Sequence, residues 1–468
     1  MLALRDYQTA IVDGLRSELR AGKRRLVAVA PTGAGKTVIA SHIMASAAAK
    51  GSRVLFLAHR AELIDQCSRK LDACGVAHGR IVAGGSYDGQ AVQVASIPTL
   101  ARRKDVPGAD LVVVDECHHV CAKSWASVVK RYDRAALLGL TATPFRLDGR
   151  GLKEHFDALV ARVGIQDLIA MGHLVPPVVY TQPGPDLRGV RRVGGDFAQG
   201  QLATRVDQPR LVGDVVRHWA RLALDRTTVA FCCTVQHAEH VAAAFSAAGI
   251  PAASVDGATP AAEREGRLAD LASGKIKVLT NVAILTEGWD LPRCGAVILA
   301  RPTQSRALYL QMVGRGLRTD AGKDDCLVLD HAGNTLRHGF VTDPIAYSLE
   351  GLEAQGAAPS VRLCPQCAAA LKAGTQTCPL CGYAFPPPDE DDQVPEAAAG
   401  ELERVDPSAL RPVADESEKR RAMNRLRAEA KSNGYKATWA HIKFKAIYGH
   451  WPSAALLRGG PERQAVAS

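Results

Sequence analysis

Leu26-Val27-Ala28-Val29-Ala30-Pro31-Thr32-Gly33-Ala34-Gly35-Lys36-Thr37-Val38-Ile39-Ala40 decides how this chain folds. Its first five residues form an apolar run suited to a buried strand. A turn of small residues follows, and Val38-Ile39-Ala40 opens a helix. Gly33 and Gly35 leave room for backbone N–H groups to face phosphate oxygens, and the helix behind them presents its positive N-terminus. Lys36 is spaced to reach β- and γ-phosphates, and Thr37 carries a hydroxyl suited to Mg²⁺. Thr32, Gly33, Ala34, Gly35, Lys36 and Thr37 are therefore candidate ATP and Mg²⁺ contacts. A plain glycine turn is the alternative, and the strand before and helix after argue against it.

Working outward, Leu111-Val-Val-Val114 is a second buried strand that ends in Asp115-Glu116-Cys117-His118. A carboxylate at a strand end near a phosphate loop is placed to hold Mg²⁺ (Asp115), and its neighbour to deprotonate an attacking water (Glu116). Further strands are expected at Val54–Ala58 and Val92–Ala95. A second series is expected at Thr228–Cys232, Ala253–Asp256, Lys277–Thr280, Ala296–Leu299 and Cys326–Leu329. Strands alternating with helices imply parallel sheets. The expected α/β architecture is a first lobe over 1–182, a connection with a small insertion over 183–210, and a second lobe over 211–350.

At 468 residues the chain exceeds one compact core. It has no apolar run of about 18 residues, so no membrane span is expected, and the charged start argues against a signal peptide. Together these suggest a cytoplasmic protein. The net charge is +10. Residues 389–406 hold eight acids and one arginine, while 417–451 hold nine Lys/Arg and two acids, so the positive excess lies within 1–388. A basic body fits a polyanionic partner.

Cys364-Pro-Gln-Cys367 and Cys378-Pro-Leu-Cys381 form two C-x₂-C pairs ten residues apart, the pattern of a tetrahedral Zn²⁺ site in a small ribbon over 360–386. Disulfides are the alternative, disfavoured in a reducing cytosol. The ribbon's role could be structural or strand-binding. An acidic flexible linker (387–414) leads to a basic, aromatic, mostly helical C-terminal module (415–456) and a disordered tail (457–468). Basic residues interleaved with Trp439, Phe444 and Trp451 suit single-stranded nucleic acid, and equally suit a small helical core.

These motifs, in this order over residues 1 to about 345, resemble the DExH-type helicases and translocases of superfamily 2, in the bacterial and phage branch related to type III restriction-enzyme helicase subunits. The resemblance implies two tandem RecA-like lobes. It implies that Gln8, in Arg5-Asp-Tyr-Gln8, reads adenine, and that Gly288 and Asp290, in Thr286-Glu-Gly-Trp-Asp290, also meet the nucleotide. His118, Thr141, Thr143 and Gln311 would couple hydrolysis to movement. Arg315 and Arg318, in Gln311 to Arg318, would be arginine fingers that stabilise phosphoryl charge when the lobes close. Arg60, Ser96, Thr99, Thr234 and Thr280 would contact nucleic acid, with DNA favoured over RNA. The implied activity is an ATP-dependent helicase or translocase. The alternative is a remodelling subunit of a restriction, defence or phage replication complex, with a nuclease, methyltransferase or replication partner.

Overall fold

Strand residues in this chain are apolar on both faces, which is stable only when helices cover both sides of a parallel sheet. The computed structural model has two such sheets. It describes residues 3–85, 87–146, 149–286, 289, 291–351 and 361–385, with scattered positions from 420 to 444. The chain divides into two compact units, 1–387 and 388–468.

The first sheet contains β1 (Arg25–Val29), β2 (Val54–Ala58), β3 (Gly79–Ile81), β4 (Val92–Ser96), β5 (Leu111–Asp115), β6 (Ala136–Thr141) and β7 (Ala158–Ala161). The spatial order is β3-β4-β2-β5-β6-β1-β7, parallel throughout. Successive side chains point to opposite faces. Accordingly Leu26, Ala28, Val54, Phe56 and Val113 enter one apolar cluster, and Val27, Val29, Leu55, Leu57, Val112 and Val114 enter another. The register β5-β6-β1 brings the ends of three strands to one carboxyl edge. There Asp115 pairs in register with Leu140, and Ala30 N–H donates to the Thr141 carbonyl at 3.0 Å. Ligands of open α/β sheets bind at such edges.

The second sheet contains β8 (Pro177–Thr181), which is followed in the chain by a hairpin of β9 (Arg192–Val193) and β10 (Asp196–Phe197). It continues with β11 (Thr228–Phe231), β12 (Ala252–Val255), β13 (Val278–Asn281), β14 (Ala296–Leu299) and β15 (Cys326–Asp330), in the order β12-β13-β11-β14-β15-β8.

This moves the expected lobe boundary. The first lobe does not run to 182, because β8 pairs in parallel with β15 over Pro177–Thr181. Residues 183–210 are likewise part of the second lobe rather than a connection. Asp196 is buried there against Arg301, Thr303 and Gln304. The lobes are instead bridged near 162–176. The chain then crosses back: Leu152 and Lys153 N–H groups donate to the Leu349 carbonyl at 2.8 and 3.0 Å, and Tyr347 and Leu349 pack on the first lobe's core.

Two histidines make the second lobe acid-sensitive. Burial holds His331, stacked on His218 with ring centroids 5.1 Å apart, down to about 4. Burial also holds His338 down to about 4, although its Nε2–H donates to the Thr303 carbonyl at 3.0 Å. Both must gain a proton on unfolding below the ordinary value of 6.5, so the unfolded state binds more protons between that value and about 4. The contribution of these two histidines to stability is full above pH 6.5 and is lost as pH falls through this window. Calorimetry should show a falling Tm, and His331→Phe or His338→Phe should flatten the decline.

Residues 361–385 form a ribbon of β16 (Val361–Leu363) and β17 (Ala370–Lys372), antiparallel, lying against β8 through Tyr180 and Ala369. In the second unit Met423, Ala430, Ala440 and Phe444 are buried together, so Phe444 serves as core. Trp439, Trp451 and the acidic linker lie outside the described residues.

Candidate nucleotide site and strand-binding edge

The phosphate loop sits where the sequence places it, between β1 and the helix Lys36–Ala48, with Gly35 at φ +78° as the helix cap. It forms one wall of a cavity of about 310 Å³ that the second lobe closes. Thr32, Gly33, Gly35, Lys36, Thr37, Asp115 and Glu116 line it from lobe 1, and Trp289, Arg315, Arg318 and Thr319 from lobe 2. The approach is close. A Cβ on Gly314, in the helix Arg306–Gly314, would lie 2.7 Å from the Thr32 Cβ, so only glycine allows this seating. The Val175 N–H donates to the Leu317 carbonyl at 2.8 Å, and Leu174 bridges Arg318.

Lys36 Nζ lies 3.4 Å from Glu116 Oε1, and both side chains are largely buried. Glu116 adopts left-handed backbone, φ +47°, which is uncommon for a non-glycine residue and aims its carboxylate into the cleft. Its Oε2 lies 3.5 Å from His118 Nδ1, which is also 3.1 Å from the Thr141 hydroxyl. The Thr141 proton is donated to the Thr143 carbonyl at 3.0 Å, so His118 Nδ1 is the donor to Thr141. Glu116, His118, Thr141 and the Thr143 backbone thus form one buried line away from the phosphate loop. Gln311 is buried in the helix Arg306–Gly314.

Arg315 donates to the Thr286 carbonyl from Nε at 3.0 Å and to the Trp289 carbonyl from Nη1 at 2.7 Å. Arg318 donates to the same Trp289 carbonyl at 3.1 Å. Arg315 and Arg318 are therefore held in position by the carbonyls of Thr286 and Trp289. Gly288 and Asp290 lie outside the described residues.

Two residues depart from expectation. Gln8 does not line the cavity; its Nε2 donates to the Ala34 carbonyl at 3.0 Å and its Oε1 accepts from the Arg5 N–H at 3.1 Å. It braces the loop. Thr280 is fully buried and gives its hydroxyl proton to the Ala238 carbonyl at 2.8 Å, so it offers nothing to a strand. Ser96 and Thr99 are half-buried at the start of the helix Ile97–Arg102, and half-buried Thr234 caps the helix Val235–Ala247, accepting from the His237 N–H at 3.2 Å. Arg60 spans the lobes, donating to the carbonyls of Ile284 at 2.7 Å and Ala283 at 3.3 Å.

Arg5, Leu63, Gln66, Lys70, His173 and Pro292 also line the cavity and were not anticipated. Arg5 opens the stretch Arg5-Asp-Tyr-Gln8. His173 has no local signature; it stands 5.4 Å from the Tyr7 ring only through the fold. Five cations (Arg5, Lys36, Lys70, Arg315, Arg318) face two acids among the described lining residues, a balance suited to a triphosphate.

The four ribbon cysteines place their Sγ atoms within 4.8 Å of one another, with Cys364–Cys381 at 3.5 Å and Cys367–Cys378 at 3.7 Å. A tetrahedron with Zn–S of about 2.3 Å has S···S edges of about 3.8 Å, so the cluster fits a metal ion.

The type III restriction enzyme, res subunit, family (ResIII) matches residues 1–146, and the helicase conserved C-terminal domain matches residues 213–320. A 51.5 kDa protein of a Lactococcus phage is 32% identical over 361 residues, 76% of this chain and 77% of that protein. The putative mitochondrial ATP-dependent helicase irc3 of Schizosaccharomyces pombe is 32% identical over 73% of this chain, which spans 59% of the yeast protein's length. A fragment of a putative HsdR subunit of a type I restriction enzyme from Vibrio vulnificus superposes with a TM-score of 0.57 at 25% identity, covering 73% of this chain and 66% of that one. The chain belongs to the superfamily 2 helicases related to restriction-enzyme res subunits, ATP-hydrolysing enzymes that act on nucleic acid.

Proposed function

We propose that the protein is a DNA motor in which ATP hydrolysis in the interlobe cleft drives movement along a strand. The observation that carries this reading is the single cavity lined by Lys36, Asp115 and Glu116 from one lobe and by Arg315 and Arg318 from the other. Such a site is complete only when the lobes meet.

Lys36 binds the β- and γ-phosphates, whose oxygens compete with Glu116 for its ammonium. Thr37 and Asp115 would hold Mg²⁺, which neutralises charge on those oxygens when bound. Glu116, released from Lys36, accepts a proton from the water whose oxygen attacks the γ-phosphorus as the bond to the β–γ bridging oxygen breaks. Arg315 and Arg318 stabilise the charge that builds on the transferring group. His118 senses Glu116 and passes the change to Thr141 and the Thr143 backbone. Arg60, Ser96, Thr99 and Thr234 form the strand-binding edge. DNA is favoured by the restriction relatives, which also make a nuclease or methyltransferase partner part of this reading, as is a cytoplasmic location.

The four ribbon cysteines are assigned Zn²⁺. Burial pushes the Cys378 thiol up, but backbone N–H groups of Cys381 and Leu380 and the neighbouring thiols prevail and bring it down, while its partners Cys367 and Cys381 are held up, so the remaining protons leave only as a metal binds. So small a module has little apolar core, so Cys378→Ser should release the metal and unfold the ribbon. Metal analysis and limited proteolysis of the full chain check this; unchanged zinc content would refute it.

The motor reading is tested by strand displacement beside ATPase on the same DNA. Both activities in the wild type support unwinding. DNA-stimulated ATPase with triplex displacement but no unwinding assigns translocation. Stimulated ATPase without either movement refutes the motor.

A further inference from the structure

The segment 186–206 carries a feature that the hydrolysis site does not use. β9 and β10 form a hairpin closed by Gly194-Gly195, both with positive φ (+62° and +91°), the geometry of tight two-residue turns. Its inner side is fixed. Phe197, Leu202 and Val206 are buried against Cys233, the residue before Thr234. The Asp196 carboxylate accepts from Arg301 Nη2 at 3.1 Å, the Thr303 hydroxyl at 2.9 Å and the Gln304 N–H at 2.8 Å. These contacts root the hairpin at the carboxyl ends of β11 and β14. That is the sheet edge on which the β13 end, at Ala283 and Ile284, meets Arg60.

The outer side is basic. Arg191, Arg192 and Arg205 are exposed and have no ion pair among the described residues. The nearby acids are already engaged: Asp186 with Arg188 at 2.7 Å, Asp207 with His240 at 2.9 Å, and Asp196 with Arg301. Arg337 lies over the Phe197 ring at 5.6 Å, adding a cation to the same region. Asp186 also attracts Arg205, and Asp196 and Asp330 attract Arg337, but these acids are shared with Arg188 and Arg301 or buried, so the exposed guanidiniums outnumber them, and a polyanion relieves the remaining repulsion.

We infer that the 186–206 hairpin is an additional nucleic-acid contact of the second lobe, in which Arg191, Arg192 and Arg205 bind the phosphate backbone of a polynucleotide beside Thr234. Its rigid anchorage lets the hairpin move with the helix that carries Arg315, so a grip on phosphate there travels with lobe closure. The inference rests on the motor reading above.

The test compares the wild type with Arg191→Glu/Arg192→Glu and with Arg191→Lys/Arg192→Lys, using fluorescent single-stranded and duplex DNA across a salt series. The Glu variant should bind roughly tenfold more weakly at 0.1 M salt, with the slope of log K against log salt reduced by about 1.4–1.8, for two lost phosphate contacts. The Lys variant should retain most of the affinity, and DNA-free ATPase and thermal unfolding should match the wild type in both. A loss confined to duplex places the hairpin ahead of the fork, and a loss confined to single strands places it on the track; either supports the inference. Wild-type affinity and salt slope in the Glu variant would overturn it while leaving the motor reading intact. Failure of the wild type to bind either DNA would overturn both.

Discussion

Replacing Arg318 with Ala should lower kcat for ATP hydrolysis by about 10³–10⁵-fold, the usual cost of losing an arginine that stabilises phosphoryl-transfer charge. The lesion should fall on kcat much more than on KM, because the charge it meets develops only in the transition state. Arg318 is half-buried at the cavity wall, and its Nη1 donates to the Trp289 carbonyl at 3.1 Å, so its side chain is not part of the apolar core. Arg315 is different. It is buried and gives three N–H groups to the carbonyls of Thr286 and Trp289, so Arg315→Ala should also loosen the second-lobe wall and lower Tm. Arg318→Lys should recover little, since an ammonium lacks the planar fork of donors. Single-turnover kinetics with thermal unfolding alongside separates the two arginines. Wild-type kcat in Arg318→Ala would remove it from the reaction.

Lys36→Ala should abolish measurable turnover, with a loss of at least about 10²–10³-fold, and should weaken ATP binding as well. Lys36 stands 3.4 Å from Glu116, so the substitution also leaves a buried carboxylate without its cation. Nucleic-acid affinity without nucleotide should remain near wild type, because the candidate strand contacts Arg60, Ser96, Thr99 and Thr234 lie outside the cavity. Equilibrium binding to DNA beside steady-state ATPase checks both halves. Unchanged ATPase would sink the assignment of this loop.

The phosphate loop and Asp115-Glu116 were legible because phosphate binding demands particular residue types within a few positions. The strand before each gave its place on a sheet edge. The ribbon was legible for the same reason, through four cysteines in two short pairs. What escaped sequence reading depends on partners far along the chain. β8 looks like the end of the first lobe until it pairs with β15, 149 residues later at Thr181 and Asp330. Arg60 reads as a strand contact, and only the fold adds that its guanidinium also joins the lobes, through carbonyls more than 220 residues away. Thr280 sits in a recognisable motif, but parallel pairing on both sides of β13 buries it. Gln8 sits near the nucleotide loop as the resemblance implies, but its amide is spent on Ala34, and Arg5 and His173 face the cavity instead.

ATP hydrolysis measured in parallel with single-stranded DNA, duplex DNA, RNA and no polynucleotide tests the central claim most directly. A site completed between two lobes should turn over slowly alone and be stimulated by DNA more than by RNA, with stimulation falling steeply as salt rises and absent in Arg318→Ala. Equal turnover with and without every polynucleotide would contradict the account.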